Sequence, residues 1–229
     1  MLKELLNLFR AHDALALMKR DFSEMLALSY DLTIDAGRIL FGEVSEGHRR
    51  AELRERDVQI NRVEREIRKQ VITHLTINKD PGDVPYCLLL MSIVKDVERL
   101  GDYAKNLAQI RYDGGAPVPG DTNGVELHRI RSAAEATFGT VSEVFATSDS
   151  KRAVGLIQDG RKVNRRCDEL VAKVSMSAYD AATTTSMVLG ARYYKRIESH
   201  LLNILSGVVM PLHKLDYYDE KVLGAAADS

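Results

Sequence analysis

Apolar side chains recur every three or four residues along almost the whole chain, a period that admits α-helices and little else. The stretch "DALALMKRDFSEMLALSYDLTIDAGRILF" (13–41) sets Leu15, Met18, Phe22, Met25, Leu26, Tyr30, Ile34 and Ile39 near one face, with Asp13 as its expected N-cap. After Gly42 and Ser45 a charged second helix is predicted over about 46–78, carrying Val58, Ile60, Val63, Ile67, Val71, Ile72 and Leu75. The cluster "NKDPGDVP" (78–85) breaks it, and a third helix follows over about 84–112. "DGGAPVPGDTNG" (113–124) has no apolar period and is the clearest linker. Beyond it, helices are predicted over about 125–147, 149–179 and 183–210, the last stopped by Pro211, with a frayed tail at "GAAADS". The expected fold is all-α: two tandem three-helix bundles, 1–114 and 124–229, joined by a linker at 115–123.

An internal repeat supports that division. "INRVEREI" (60–67) aligns with "VNRRCDEL" (163–170) through Asn61/Asn164 and Arg62/Arg165. "ERLGDYAKNL" (98–107) aligns with "KRIESHLLNI" (195–204) through Arg99/Arg196, Asn106/Asn203 and Leu107/Ile204. The blocks stand in the same order on the second and third helix of each half.

Charge narrows the function classes. Over 229 residues, 32 Lys and Arg nearly cancel 33 Asp and Glu, so no global field recruits nucleic acid or an anionic membrane. "GVELHRIRSAAEAT" (124–137) carries no dense basic stripe. No segment reaches the roughly 18 uncharged apolar residues of a membrane span, and the N-terminus lacks a signal-peptide core. Cys87 and Cys167 stand far apart with no CxxC pair, so a reducing cytoplasm is the expected compartment. Cys87, ahead of "LLLM", reads as a buried structural thiol.

The chemistry-bearing residues lie on the third helix. On a helical wheel centred on Val97, Leu90, Ile93, Val94, Leu100, Gly101, Ala104, Leu107 and Ala108 form a broad buried stripe, while Glu98, Asp102 and Asn106 fall outside it at about 100–180°. Glu98 and Asp102, one turn apart, repel each other by about 0.2–0.5 kcal/mol in an isolated helix. Asp57, Asn61 and Glu64 make a second oxygen row on the second helix, and antiparallel packing brings the rows within reach of a shared cation. The same spacing also fits a solvated face, since Arg99, Lys95 and Lys105 stand close enough to screen the carboxylates without a metal. Spacing alone leaves both readings open.

At these residues the sequence resembles the PhoU family of helical regulators of bacterial phosphate uptake. "DVERLGDYAKNLA" (96–108) follows the family pattern E-R-[IL]-G-D-x-A-x-N-[IL], and "DVQINRVEREI" (57–67) follows D-x-x-I-D-x-x-E except that Asn61 stands where an Asp is usual. The resemblance implies metal ligation by Glu98 and Asp102, with Asp57, Asn61 and Glu64 as candidates opposite and Asn106 supporting; the ion would be Fe, Zn, Mn or Mg. In the second half Lys195 and Ser199 occupy the Glu and Asp positions, and Gly160 and Cys167 stand where Asp57 and Glu64 do. At most one metal site is therefore expected, in the N-terminal bundle. His200, beside the degenerate motif, is expected to be a hydrogen-bonded boundary residue.

No GxSxG elbow, Walker A loop or HExxH motif is present, nor the Glu-x-x-His of carboxylate-bridged bundles, so an enzyme is not expected. The resemblance implies a cytoplasmic regulator acting by protein–protein contact on a phosphate-transporter component or a sensor histidine kinase. The alternatives are an accessory scaffold of a phosphate permease and, behind it, a metal-dependent phosphohydrolase. Tandem bundles with apolar edges also allow a homodimer. Tyr193, Tyr194, Tyr217 and Tyr218 read as bundle-edge residues ahead of a docking surface.

Overall fold

The computed structural model describes residues 2–44, 49–78 and 80–216, with side chains from residue 14 onward except that of Arg49. The turn at Ser45, Tyr217, Tyr218 and the expected frayed tail lie outside the described residues. Six helices form: α1 (Leu2–Leu40), α2 (Arg49–Ile77), α3 (Val84–Tyr112), α4 (Thr122–Thr147), α5 (Ser150–Ser175) and α6 (Ala181–Val209), with no strand among the described residues. None of them is long and apolar enough to cross a membrane.

Aspartates set three of the starts. Asp121 accepts from the backbone N–H groups of Asn123 and Gly124 at 3.0 Å each, Asp149 from Arg152 at 3.0 Å, and Asp180 from Thr183 at 2.7 Å. Asp13 does not start the first helix, because α1 runs straight through it, with no proline between Leu2 and Leu40. The helix predicted to reach 179 stops at Ser175. There Ser175 and Ser177 turn their hydroxyls onto the carbonyls of Ala172 and Val174, at 2.8 and 2.7 Å.

Three helices pack together in each half: α1, α2 and α3 in the first, α4, α5 and α6 in the second. The halves join where α3 meets α6 and α1 meets α4, so that one broad face of the molecule runs α2, α3, α6, α5. One continuous apolar core crosses the junction. Between α1 and α4 the rings of Phe22 and Phe145 lie 4.9 Å apart, and those of Tyr30 and Phe138 meet edge to face at 5.5 Å. Cys87 and Cys167 are buried free thiols, as expected for Cys87. Tyr194 is fully buried as a core residue and not an edge.

The second half carries a carboxyl group inside its core. Glu198 is 0% exposed, and neither of its oxygens has a hydrogen-bond partner among the described residues. The Thr137 hydroxyl lies close by but donates to the Ala133 carbonyl at 3.1 Å. Room for Glu198 comes from Gly160 on α5, where a Cβ would sit 2.3 Å from Glu198 Oε1 and 2.6 Å from Leu202 Cδ2. Burial pushes the Glu198 carboxyl up to about 8, offset only in part by the nearby Thr137 hydroxyl.

The sign of the linkage follows from the raised value. The protonated form folds without an ionisation cost, so this group leaves stability intact below its ordinary value of 4.5 and erodes it as the pH rises toward 8. Glu198→Gln should flatten the pH dependence by up to about 4 kcal/mol between pH 5 and pH 8 in urea melts. Retention of the wild-type slope would remove Glu198 as its cause.

Candidate functional site

The crease between α2 and α3 gathers the two oxygen rows read from the sequence. Asp57 is buried on the α2 side, while Glu64, Glu98 and Asp102 are half-buried. Burial raises the Glu98 carboxyl first, and the charges of Asp102, Glu64 and Asp57 add to the rise against the pull of Arg99. The four carboxylates therefore share one electrostatic environment. Asn61 and Asn106 sit half-buried on the same two helices.

The cations that meet these carboxylates are the chain's own. Lys105 spans the crease: its Nζ donates to Asp57 Oδ2 at 2.9 Å and to Asp102 Oδ1 at 3.0 Å. Arg99 Nη1 donates to the other Asp102 oxygen at 3.2 Å, and its Nε lies 3.6 Å from Glu98 Oε2. Arg68 pairs with Glu64 at 2.8 Å. Partial burial pulls the Lys105 ammonium down, but its bonds to Asp57 and Asp102 outweigh that and raise it overall. Among the described residues no group of three or more His, Cys, Asp or Glu side chains is arranged to hold a metal ion. The residues as placed do not fit a metal: no three of these side chains converge, and each carboxylate already has a lysine or arginine beside it, Asp102 on both oxygens.

The corresponding crease between α5 and α6 has the reverse charge. Lys195 Nζ donates to Asp168 Oδ2 at 2.5 Å and Arg192 Nη1 to Asp168 Oδ1 at 3.3 Å. Asn164 Nδ2 donates to Ser199 Oγ at 3.2 Å, and Ser199 donates in turn to the Lys195 carbonyl at 2.9 Å.

Between the creases runs the α3–α6 seam, where the sequence singled out His200 but not its partner Asp96. Asp96 is 1% exposed, and its Oδ1 meets His200 Nδ1 at 2.8 Å and Asn203 Nδ2 at 2.9 Å. Lys95, expected to screen the acidic row, reaches Asp96 at 3.2 Å and Asp216 at 3.5 Å instead. His200 is thus a hydrogen-bonded boundary residue, stacked on Tyr103 at 5.6 Å, and Tyr193 lies 6.1 Å from the same ring. On the opposite side, Arg131 of α4 binds Glu135 at 2.7 Å and Glu43 at 2.5 Å, beneath the Phe41 ring. Long separation in sequence hid the pairs of Asp96 with His200 and Asn203 and of Arg131 with Glu43.

Desolvation would raise the Asp96 carboxyl, but His200, Asn203 and Lys95 together hold it below its ordinary value. A depressed carboxylate stabilises the fold above its unfolded value of 3.8 and loses that contribution as the pH falls lower. Asp96→Asn should cost about 1.5–3 kcal/mol at pH 7, shrinking toward pH 3, in denaturant melts at both values. An equal cost at both would show that the charge is not what matters.

Comparison with known proteins bears on the whole arrangement. Residues 15–110 match the family model of the PhoU domain. No curated protein matches the chain. Among solved structures, PhoU from Pseudomonas aeruginosa superposes with a TM-score of 0.67 at 23% identity, covering 89% of this chain and 95% of that one. The phosphate transport system regulatory protein PhoU from Streptococcus pneumoniae superposes with a TM-score of 0.74 at 15% identity, covering 94% and 99%. At such identities the likeness is one of fold: the all-helical architecture is common to the three. With the family model matched across both helices of the acidic crease, the resemblance read from the sequence holds over residues 15–110, which are similar to the PhoU domain.

Proposed function

We propose that the chain is a PhoU-type regulator of phosphate transport. It would work on the cytoplasmic side by contact between its helical faces and a phosphate-transporter component or a sensor kinase. The observation that carries this reading is the PhoU domain match over residues 15–110, which contains the acidic crease. The Streptococcus pneumoniae protein of like fold is itself described as a phosphate transport system regulatory protein. The broad face suits a docking role: its helices expose Arg65 of α2, Arg165 of α5, and Arg192 and Arg196 of α6, and the seam half-buries Tyr103 and Tyr193. Tyrosine and arginine are the residues most enriched at protein interfaces.

No catalytic step is assigned. The carboxylates of the acidic crease are each engaged by a resident cation, and the mechanism is recognition. The test is genetic and biochemical together. Deleting the gene should make phosphate uptake, or phosphate-responsive transcription, insensitive to external phosphate, and the wild-type gene should restore the response. Unaltered phosphate control in the deletion strain would sink the regulatory reading. Turnover of a generic phosphate ester that disappears in Asp102→Ala would move the chain to the hydrolases.

A further inference from the structure

We propose that Lys105 and Lys195 are resident counter-ions that clamp the two creases, so that each half holds its second and third helices together with a lysine and without a metal ion. In the first half the Lys105 ammonium lies between Asp57 of α2 and Asp102 of α3, at 2.9 and 3.0 Å. In the second, the Lys195 ammonium crosses from α6 to Asp168 of α5 at 2.5 Å. The bridging sense is the same: the third helix of each half gives the ammonium and the second gives the aspartate.

The register differs, which shows that the clamp does not follow from the repeat alone. Lys195 stands at the position aligned with Glu98, whereas Lys105 stands one turn beyond that motif's aspartate and aligns with the apolar Leu202. Lysines at two different register positions thus bridge the second and third helices of each half. A divalent ion bound by Asp57 and Asp102 would sit about 2.0–2.6 Å from their oxygens, and the ammonium that bridges the two carboxylates would stand beside it as a like charge. Arg99 and Arg68 pair with Glu98 and Glu64 at 3.6 and 2.8 Å, each within its own helix. The second crease has even less to offer a metal, since Asp168 already serves both Lys195 and Arg192. This inference stands apart from the regulatory reading, because it concerns what closes the helix pairs and not what docks on them.

The experiment compares the wild type with Lys105→Met and Lys195→Met. Each protein is purified without chelator or a His-rich tag, reloaded with Mg²⁺, Mn²⁺, Fe²⁺ or Zn²⁺, and measured by elemental mass spectrometry and thermal melting. The wild type and Lys195→Met should retain far less than one ion per chain, with a wild-type Tm unmoved by EDTA or Mn²⁺. Lys105→Met leaves four neighbouring carboxylates short of one cation. It should melt lower, take up about one ion per chain, and recover about 5 °C of Tm at saturating Mn²⁺. A wild type that holds about one ion per chain and loses Tm to EDTA would overturn the proposal, and that arm needs no variant to fold. A Lys105→Met protein that melts with the wild type, or whose loss Mn²⁺ does not relieve, would overturn it as well. Should Lys105→Met fail to fold, Asp57→Asn/Lys105→Met removes the orphaned charge and should fold again; its failure counts against the clamp.

Discussion

The packing of α3 against α6 is the contact on which the rest of the molecule depends. Each of these helices also touches the other two of its own half, so the seam between them ties both halves into one core. Such a central helix must be apolar over most of its circumference. On α3 that leaves only a narrow outward strip for charged residues, and Glu98, Asp102 and Lys105 occupy its edge. The seam also buries the Asp96 carboxylate, which is tolerable because His200, Asn203 and Lys95 all turn toward it. A polar cluster at that point fixes how the halves register, since an apolar seam alone would tolerate sliding.

The two halves solve the same packing problem with exchanged parts. In the first, Gly101 on α3 lets the helix approach Ile60 of α2, where a Cβ would sit 2.9 Å from Ile60 Cδ1, while Asp57 of α2 points its carboxylate into the crease. In the second, the positions aligned with these are Glu198 and Gly160: the glycine has moved to the second helix and the carboxyl group to the third. The exchange preserves close approach between the helices but changes the chemistry. Asp57 sits at the rim, where a lysine can reach it, whereas Glu198 is sealed inside and favours its neutral form. The cluster of four carboxylates is therefore confined to the first half, and there Lys105, Arg99 and Arg68 pair with it from within.

Much of this was legible in the residues. The 3.6-residue period and the Gly and Pro clusters located six helices, and the wheel placed Glu98 and Asp102 outside the core, as they are. Capping aspartates account for the small shifts at the starts of α4, α5 and α6. The long run of α1 through Asp13 and the early stop of α5 were misjudged, because a capping residue acts only where the chain leaves the helix. Tyr194, expected at a bundle edge, is fully buried because its wheel position among Ala191, Ile197 and Leu201 points inward.

What the sequence determined by itself was local: which segments are helical, which face of each is apolar, and that the acidic row stands on a rim and not in the core. Those follow from the backbone period and from the free energy of burying apolar surface, both of which act within one helix. Only the tertiary structure decided the partners. Lys105 lies 48 residues from Asp57, and Asp96 lies 104 from His200, so each pair exists because two helices pack side by side. The balance of charge in the crease, and with it the case for or against a bound ion, depends on those distances. Electrostatic energy is set by separation in space, and separation along the chain does not encode it.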